Sequence, residues 1–192
     1  METPVIDVII PVYKPEKKYA ALLKMLEKQS VKVRRVYVIN TQKQYYNSGS
    51  YPYNGEIKVK HIEPDEFDHG RTRNDGIMAS NADYCLLMTQ DAVPADELLV
   101  EKLLECFSAD DVAVAYARQL PDEDCRIIER LARNFNYPEE SCIKYKKDID
   151  SMGIKAFFCS DVCAMYRLDV YKKLGGFVKK TIFNEDMIMA YK

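Results

Sequence analysis

The stretch Val5-Ile6-Asp7-Val8-Ile9-Ile10-Pro11-Val12 is nearly continuous in β-branched residues. A strand with one wet face would alternate with polar residues, so this run reads as a central strand covered on both faces. Pro11 is expected to end its hydrogen bonding, with Tyr13-Lys14-Pro15 as the turn. Tyr19, Leu22, Leu23 and Leu26 then recur at the spacing of one helix face. Val33 to Ile39 reads as a second strand, ending at Asn40-Thr41-Gln42. Strand, helix and strand so close together make a βαβ unit, which implies a parallel pair and a right-handed crossover. The fold class that follows is a single α/β domain, with a mostly parallel central sheet and helices on both faces.

A second stretch, Asp83-Tyr84-Cys85-Leu86-Leu87-Met88-Thr89-Gln90-Asp91-Ala92-Val93-Pro94, places chemistry on that sheet. Tyr84 to Met88 is an apolar run of strand length that stops at Thr89-Gln90-Asp91. It delivers a carboxylate to the carboxyl edge of the sheet, where open α/β sheets bind ligands. On this stretch alone, Asp91 as a turn or capping residue is an equal reading. After Pro94, Asp96-Glu97 put negative charge in the first turn of a helix carrying Leu98, Leu99, Leu103, Leu104 and Phe107.

The remaining chain fits the same alternation up to Ala117. Tyr45 to Gly55 reads as a loop, and Ile57 to Ile62 as a third strand with His61 near its end. A helix is expected to open at Arg71-Thr72-Arg73-Asn74, with Thr72 and Asp75 resembling a capping box. Val112 to Ala117 is a further strand. Residues 118–155 break the pattern. Ile127, Ile128 and Leu131 suggest a helix within a subregion laid over the sheet edge. Ala156 to Tyr166 is strand-like, Asp169 to Leu174 is a short helix, and Gly175-Gly176 stops it.

Composition narrows the partners. The 192 residues suit one core, and a net charge of -2 gives no electrostatic reason to propose nucleic acid. Lys144-Tyr145-Lys146-Lys147 reads as a solvated face. No run reaches the length of a membrane span, and Met1-Glu2-Thr3-Pro4 is no signal peptide. Cys85, Cys106, Cys125, Cys142, Cys159 and Cys163 lack zinc-site spacing, so reduced, mostly buried thiols in a cytoplasmic protein are expected.

Polar groups gather at the predicted strand ends: Pro11-Val12-Tyr13, Asn40-Thr41 and Thr89-Gln90-Asp91. Arg71-Thr72-Arg73-Asn74 and Asn184-Glu185-Asp186 complete the set. A diphosphate-linked donor needs a slot for its base, cations for its phosphates and a carboxylate for the incoming nucleophile. In order along the chain, the sequence resembles the inverting family-2 glycosyltransferases of GT-A fold, in their rhamnosyltransferase-like branch. The resemblance is carried by Val8-Ile9-Ile10-Pro11-Val12-Tyr13, Phe67-Asp68-His69-Gly70-Arg71-Thr72-Arg73-Asn74 and Thr89-Gln90-Asp91-Ala92-Val93-Pro94. Arg118-Gln119-Leu120-Pro121, Phe158-Cys159-Ser160-Asp161, Leu174-Gly175-Gly176-Phe177 and Asn184-Glu185-Asp186-Met187 extend it over nearly the whole chain.

The resemblance implies roles. Pro11, Val12 and Tyr13 would line the base pocket, with Asn40 beside base or ribose, where many relatives carry Asp. Arg71, Arg73 or Asn74 would hold the nucleotide or diphosphate, with Gln90 among the donor contacts. Asp91 would coordinate Mg²⁺ or Mn²⁺, since Thr89-Gln90-Asp91 stands where a metal-binding Asp-x-Asp usually lies. Asp186 would be the general base and Glu185 its neighbour. The implied partners are a dTDP- or UDP-sugar donor and a glycan or lipid-linked acceptor, with L-rhamnose as the sugar the branch suggests. Residues 1–117 would form the nucleotide-sugar part and 118–192 the acceptor side. The chain is expected to be truncated at its C-terminus, with missing regions making any peripheral contact with the inner face of the membrane.

Other readings stand beside these. Arg71 and Arg73 could simply pair with Asp68 and Asp75, and Asp122-Glu123-Asp124 is most simply an acidic helix start. Asp161 suits an acceptor contact or a structural hydrogen bond equally. Thr89 in place of a first Asp leaves room for an inactive nucleotide-binding domain. A nucleotidyltransferase would want a glycine-rich loop after the first strand, and Pro11-Val12-Tyr13-Lys14-Pro15 has no glycine.

Overall fold

The computed structural model describes residues 3–122, 124–181 and 183–192. The first half alternates strand and helix: β1 (Ile6–Val12), α1 (Lys17–Lys28), β2 (Arg35–Thr41), β3 (Glu56–Ile62), α2 (His69–Met78), β4 (Tyr84–Met88) and α3 (Leu99–Glu105). Then follow β5 (Val114–Tyr116), α4 (Ile127–Asn136), α5 (Ile149–Met152), β6 (Cys163–Arg167), α6 (Leu168–Lys173) and α7 (Glu185–Tyr191). Among the described residues the strands form one sheet in the order β3-β2-β1-β4-β6-β5. β1 pairs in parallel with β2 and β4, and β2 with β3, whereas β6 runs antiparallel to both β4 and β5.

The β-branched run of β1 is covered on both faces, as its composition demands. Ile6, Val8, Ile10 and Val12 face one cluster with Tyr19, Leu22, Leu23 and Leu26 of α1 and Val100 and Leu103 of α3. Ile9 faces the other, with Ile77 of α2, Leu168 and Tyr171 of α6 and Met189 of α7. Gly76 lets α2 approach β1 closely: a Cβ there would sit 2.5 Å from Ile9 Cγ2.

Several expectations are corrected in detail. Pro11 does not end β1, which continues to Val12 with Pro11 opposite Ile39 of β2. The pairing to β4 stops at Ile9, so Pro11 lies where the strand has lost one neighbour and its missing N–H is tolerated. α2 begins at His69, two residues before Arg71, because Asp68 is the cap: its carboxylate accepts from the Arg71 amide at 2.7 Å. Thr72 accepts instead from the Asp68 amide at 3.2 Å. α3 starts only at Leu99, with Asp96 accepting from the Leu98 amide at 2.9 Å, and Leu98 is exposed. Ala156 to Phe157 is helical turn, and the strand begins at Cys163.

The largest correction concerns α4. The helix forms, but Ile127, Ile128, Leu131 and Phe135 all point outward, at 78%, 81%, 63% and 69% exposure. Its polar side is turned to the protein: Arg133 donates to Gln119 Oε1 and pairs with Glu129. Of the acidic stretch before it, Glu123 lies outside the described residues, and Asp122 pairs with Lys18 at 2.6 Å. Lys144 is no solvated lysine; it is half-buried and donates to Tyr116 Oη at 2.7 Å and Phe158 O at 2.6 Å. All six cysteines are free, but only Cys85, Cys159 and Cys163 are buried.

Candidate active site

The sheet order reverses between β1 and β4, and a crevice opens outside the carboxyl ends of strands at such a point. Gln90, just past β4, reaches across it. Its side-chain amide accepts from the Tyr13 amide at 2.8 Å and donates to the Tyr13 carbonyl at 2.9 Å. The pairing ties the two strand ends together as one more ladder rung would. Gln90 therefore braces Tyr13. The Tyr13 ring stands exposed, edge-on to Tyr45 at 5.7 Å, and Lys14 Nζ lies over both rings. Val12 is buried beneath it and Pro11 half-buried.

Asn40 is fully buried at the end of β2. Its Nδ2 lies 3.0 Å from both the Gln42 carbonyl and His61 Nδ1, while its Oδ1 has no hydrogen-bond partner among the described residues. A buried acceptor left open is costly, and with Asn40 at 0% exposure it is closed to a ligand in this conformation. An open pocket of about 700 Å³ lies beyond His61, lined by Lys43, Gln44, Tyr46, Asn47, Ser48 and Val59. It is shallow and on the β3 side of Asn40, away from the carboxylates described next.

Asp91 is exposed in the turn after β4, in which the Ala92 amide bonds back to Thr89 O at 3.1 Å. No group of three or more His, Cys, Asp or Glu side chains among the described residues could hold a metal ion. A single carboxylate does not make a preformed cage. It does fit a cation such as Mg²⁺, which commonly binds through one or two carboxylates, water and substrate phosphates. The donor set thus fits a metal that arrives with a diphosphate.

The helix start at α2 carries three of the expected contacts, with different fates. Arg71 is exposed, and among the described residues its guanidinium makes no hydrogen bond or ion pair. Arg73 is buried and turned inward. Its Nη1 donates to Glu185 Oε1 at 3.1 Å and to His69 O at 3.0 Å, and its Nε lies 3.7 Å from Asp161 Oδ2. Neither Asp68 nor Asp75 is its ion-pair partner; Asp75 pairs with Lys60 at 2.6 Å. Asn74 clamps the segment after α6. It donates to Phe177 O at 3.2 Å, and its Oδ1 accepts from the Phe177 amide at 3.1 Å and from Tyr171 Oη. Gly176 sits against this clamp at φ +73°, where an added Cβ would be 2.6 Å from Asn74 Oδ1.

Asp161 precedes β6. Because β6 is antiparallel to β4, with Met88 opposite Cys163, its start lies at the same sheet edge as Asp91. The Thr89 amide donates to Val162 O at 3.1 Å and joins the two. Asp161 is fully sequestered: Oδ1 accepts from Tyr166 Oη at 2.7 Å, and burial raises its carboxyl to about 7. Its backbone N–H donates to Asp186 Oδ2 at 3.4 Å, while Asp186 Oδ1 accepts from the Met187 amide at 2.8 Å. Asp186 is half-buried in the first turn of α7 rather than its cap, a place held by Asn184 at φ 65°. Beside it lies a polar cluster that joins two of the quoted motifs through Tyr137, which sequence reasoning missed. Gln119 donates to Tyr137 Oη and, at 3.0 Å, to Ser160 Oγ. Tyr137 comes from an irregular aromatic stretch whose spacing carries no signal.

These features define an α/β domain with carboxylates gathered at the carboxyl edge of its sheet, the architecture of a GT-A glycosyltransferase. The model of glycosyl transferase family 2 matches residues 7–175, and the chain belongs to that family. It is 44% identical over 130 residues to the O-antigen chain rhamnosyltransferase WbaN of Salmonella anatum, spanning 67% of this chain and 41% of that protein. It is 35% identical over 191 residues to the O-antigen chain rhamnosyltransferase RfbN of Salmonella typhimurium, spanning 97% of this chain and 60% of that protein. The chain therefore spans about half the length of these curated relatives. Among solved structures, S. aureus TarS 1-349 superposes with a TM-score of 0.68 at 19% identity, over 97% of this chain and 55% of that one. The mannosyltransferase PcManGT of Pyrobaculum calidifontis, solved with GDP-Man and Mn²⁺, gives 0.63 at 12% identity, over 96% and 50%. At those identities the likeness is one of fold.

Proposed function

We propose that this chain carries the donor site and the base of an inverting sugar transferase. The enzyme would move a sugar, L-rhamnose by likeness to WbaN and RfbN, from a nucleoside diphosphate to a hydroxyl of a glycan or lipid-linked acceptor. The observation that supports it best is the convergence, at one sheet edge, of Tyr13 and Gln90 across the switch point with Asp91, Asp161 and Asp186. Tyr13 offers an exposed ring to the base, Asn40 shapes the slot from the end of β2, and Arg71 is an exposed cation for the diphosphate. Gln90, Arg73 and Asn74 act one step back, holding Tyr13, Glu185 and Phe177 in place.

In the reaction, Asp186 takes the proton of the acceptor hydroxyl as its oxygen bonds to the anomeric carbon. The bond from that carbon to the diphosphate breaks, and the nucleoside diphosphate leaves on the opposite face, which inverts the centre. Asp91 would hold Mg²⁺ or Mn²⁺, which supplies charge neutralisation on the departing diphosphate. No helix among the described residues is long and apolar enough to cross a membrane. We place the reaction in the cytoplasm, at the inner membrane face when the acceptor is lipid-linked.

The test is Asp186→Asn, assayed for transfer from dTDP-, UDP- and GDP-sugars with Mn²⁺. Transfer should fall by roughly 10²–10⁴-fold, with donor binding and melting temperature near wild type. Transfer that survives the substitution removes Asp186 as the base and points to Glu185.

A further inference from the structure

Two buried polar atoms face each other under the candidate base without a hydrogen bond. Arg73 Nε and Asp161 Oδ2 form an ion pair at 3.7 Å, each inaccessible to solvent and each without a hydrogen-bond partner among the described residues. Both residues are almost wholly buried, Arg73 at 7% and Asp161 at 3% exposure. Orphaned buried polar atoms are uncommon and call for a reason. The same guanidinium holds Glu185, the first residue of α7, and the main chain of Asp161 holds the carboxylate of the next residue, Asp186. Arg73 and Asp161 thus approach consecutive residues of α7 from two different elements.

We infer that Asp161 and Arg73 form a buried, proton-sensitive strut that positions Asp186. The inference rests on the transfer reaction proposed above only in calling Asp186 the base. Asp161 is a positioning residue, since its side chain is buried, with Oδ1 on the Tyr166 hydroxyl and Oδ2 facing Arg73. When its carboxyl is ionised, it draws Arg73 Nε and shares the guanidinium with Glu185. When the carboxyl takes up a proton, that attraction goes, Arg73 turns wholly to Glu185, and the start of α7 shifts against β6.

The groups around Asp161 are consistent with this exchange near neutral pH. Arg73 faces it from α2, Tyr166 from β6, Tyr171 from α6, Cys159 from the segment before it, and Glu185 and Asp186 from α7. Burial outweighs Arg73 and the Tyr166 hydroxyl, and the two α7 carboxylates push in the same direction as burial, so the proton is held up to about 7.

The experiment is a pH series of amide spectra by NMR, on the wild-type chain, Asp161→Asn and Arg73→Lys. In the wild type, the Glu185, Asp186 and Met187 amides should show a component with its midpoint near 7, following Asp161. That component should be gone in Asp161→Asn. It should be reduced in Arg73→Lys, which keeps the charge but loses the fork that spans two carboxylates. Amides that titrate alike in all three proteins overturn the inference. If Asp161→Asn does not fold, full retention of the component in Arg73→Lys overturns it on its own.

Kinetics add a second reading. Asp161→Asn should lower kcat about tenfold with donor KM within about twofold, and should remove the acid-side dependence of kcat near neutral pH. A lowered rate with an unchanged pH profile shows a merely structural role and overturns the inference. A wild-type chain that transfers no sugar counts against the proposed reaction and leaves the spectra to decide the strut.

Discussion

α1 and α4 are written in the same pattern and end in opposite surroundings. In α1, Tyr19, Leu22, Leu23 and Leu26 are each at most 1% exposed. In α4, Ile127, Ile128, Leu131 and Phe135 repeat the apolar spacing and none is buried. The difference lies in what each helix is tied to. α1 joins two neighbouring parallel strands, so its crossover lays it on the sheet and its apolar stripe has a fixed partner. α4 sits in the connection between β5 and β6, which are themselves neighbours, and is held by Arg133 on Gln119 instead. Periodicity states that a helix has two faces. Topology states which of them the domain covers.

The sharpest way to break this comparison is to remove a side chain from each stripe. Leu22→Ala takes a fully buried group from the junction of α1 and β1, and should cost about 2–5 kcal/mol through lost burial and a residual cavity. Chemical denaturation would read it as a lower midpoint with an unchanged slope. A loss under about 1 kcal/mol would mean that α1 is no more anchored than α4.

The seam between β6 and α7 gives a pH-dependent version of the same question. Asp161 has its carboxyl raised from 3.8 to about 7, so between those values the folded chain binds more protons than the unfolded one. Stability is therefore expected to fall as pH rises from about 4 through about 7, and to level off above it. The decline should be much smaller in Asp161→Asn, and a wild-type melting temperature with no such extra decline would remove the buried carboxyl from the account. Asn74→Ala should come next in size, at about 1–3 kcal/mol, because it strands the Phe177 carbonyl and takes the acceptor from the Tyr171 hydroxyl, leaving the Phe177 amide only Tyr171 Oη. Thermal unfolding of that variant checks it.

How far the sequence carries also differs between the two regions. The β-branched run at Val5–Val12, the leucines of α1 and the apolar run at Tyr84–Met88 each name an element whose neighbours follow from βαβ geometry, and all three are where the sequence puts them. The place of β6 between β4 and β5, antiparallel to both, depends on pairing across long separations that no local pattern records. The site divides in the same way. Strand ends reveal which residues reach the carboxyl edge of the sheet, and Tyr13, Asn40, Gln90 and Asp91 are all there. They do not reveal which polar atoms remain free. Gln90 is taken up by a residue 77 positions away and Asn74 by one 103 away. The Arg73–Asp161–Glu185 contact joins three segments, and only folding brings its charges together.

The smallest expected effect tests the outward face itself. Leu131→Ser replaces an apolar side chain at 63% exposure with a polar one of lower helix propensity. Little burial is lost, because little is present. The helix loses up to about 0.7 kcal/mol of propensity, partly offset by the better hydration of a hydroxyl. The stability of the chain should therefore change by no more than about 0.5 kcal/mol, in contrast to Leu22→Ala. Hydrogen exchange separates global from local consequences, since helix ends and loosely packed segments open without unfolding the rest. Exchange in α1 should be the same as in wild type, and exchange in α4 at most severalfold faster. Solubility should rise, because the substitution interrupts the row of Ile127, Ile128, Leu131 and Phe135. A loss of about 2 kcal/mol or more would show that the stripe is covered in solution, and a concentration dependence of that loss would identify the cover as a second copy of the chain.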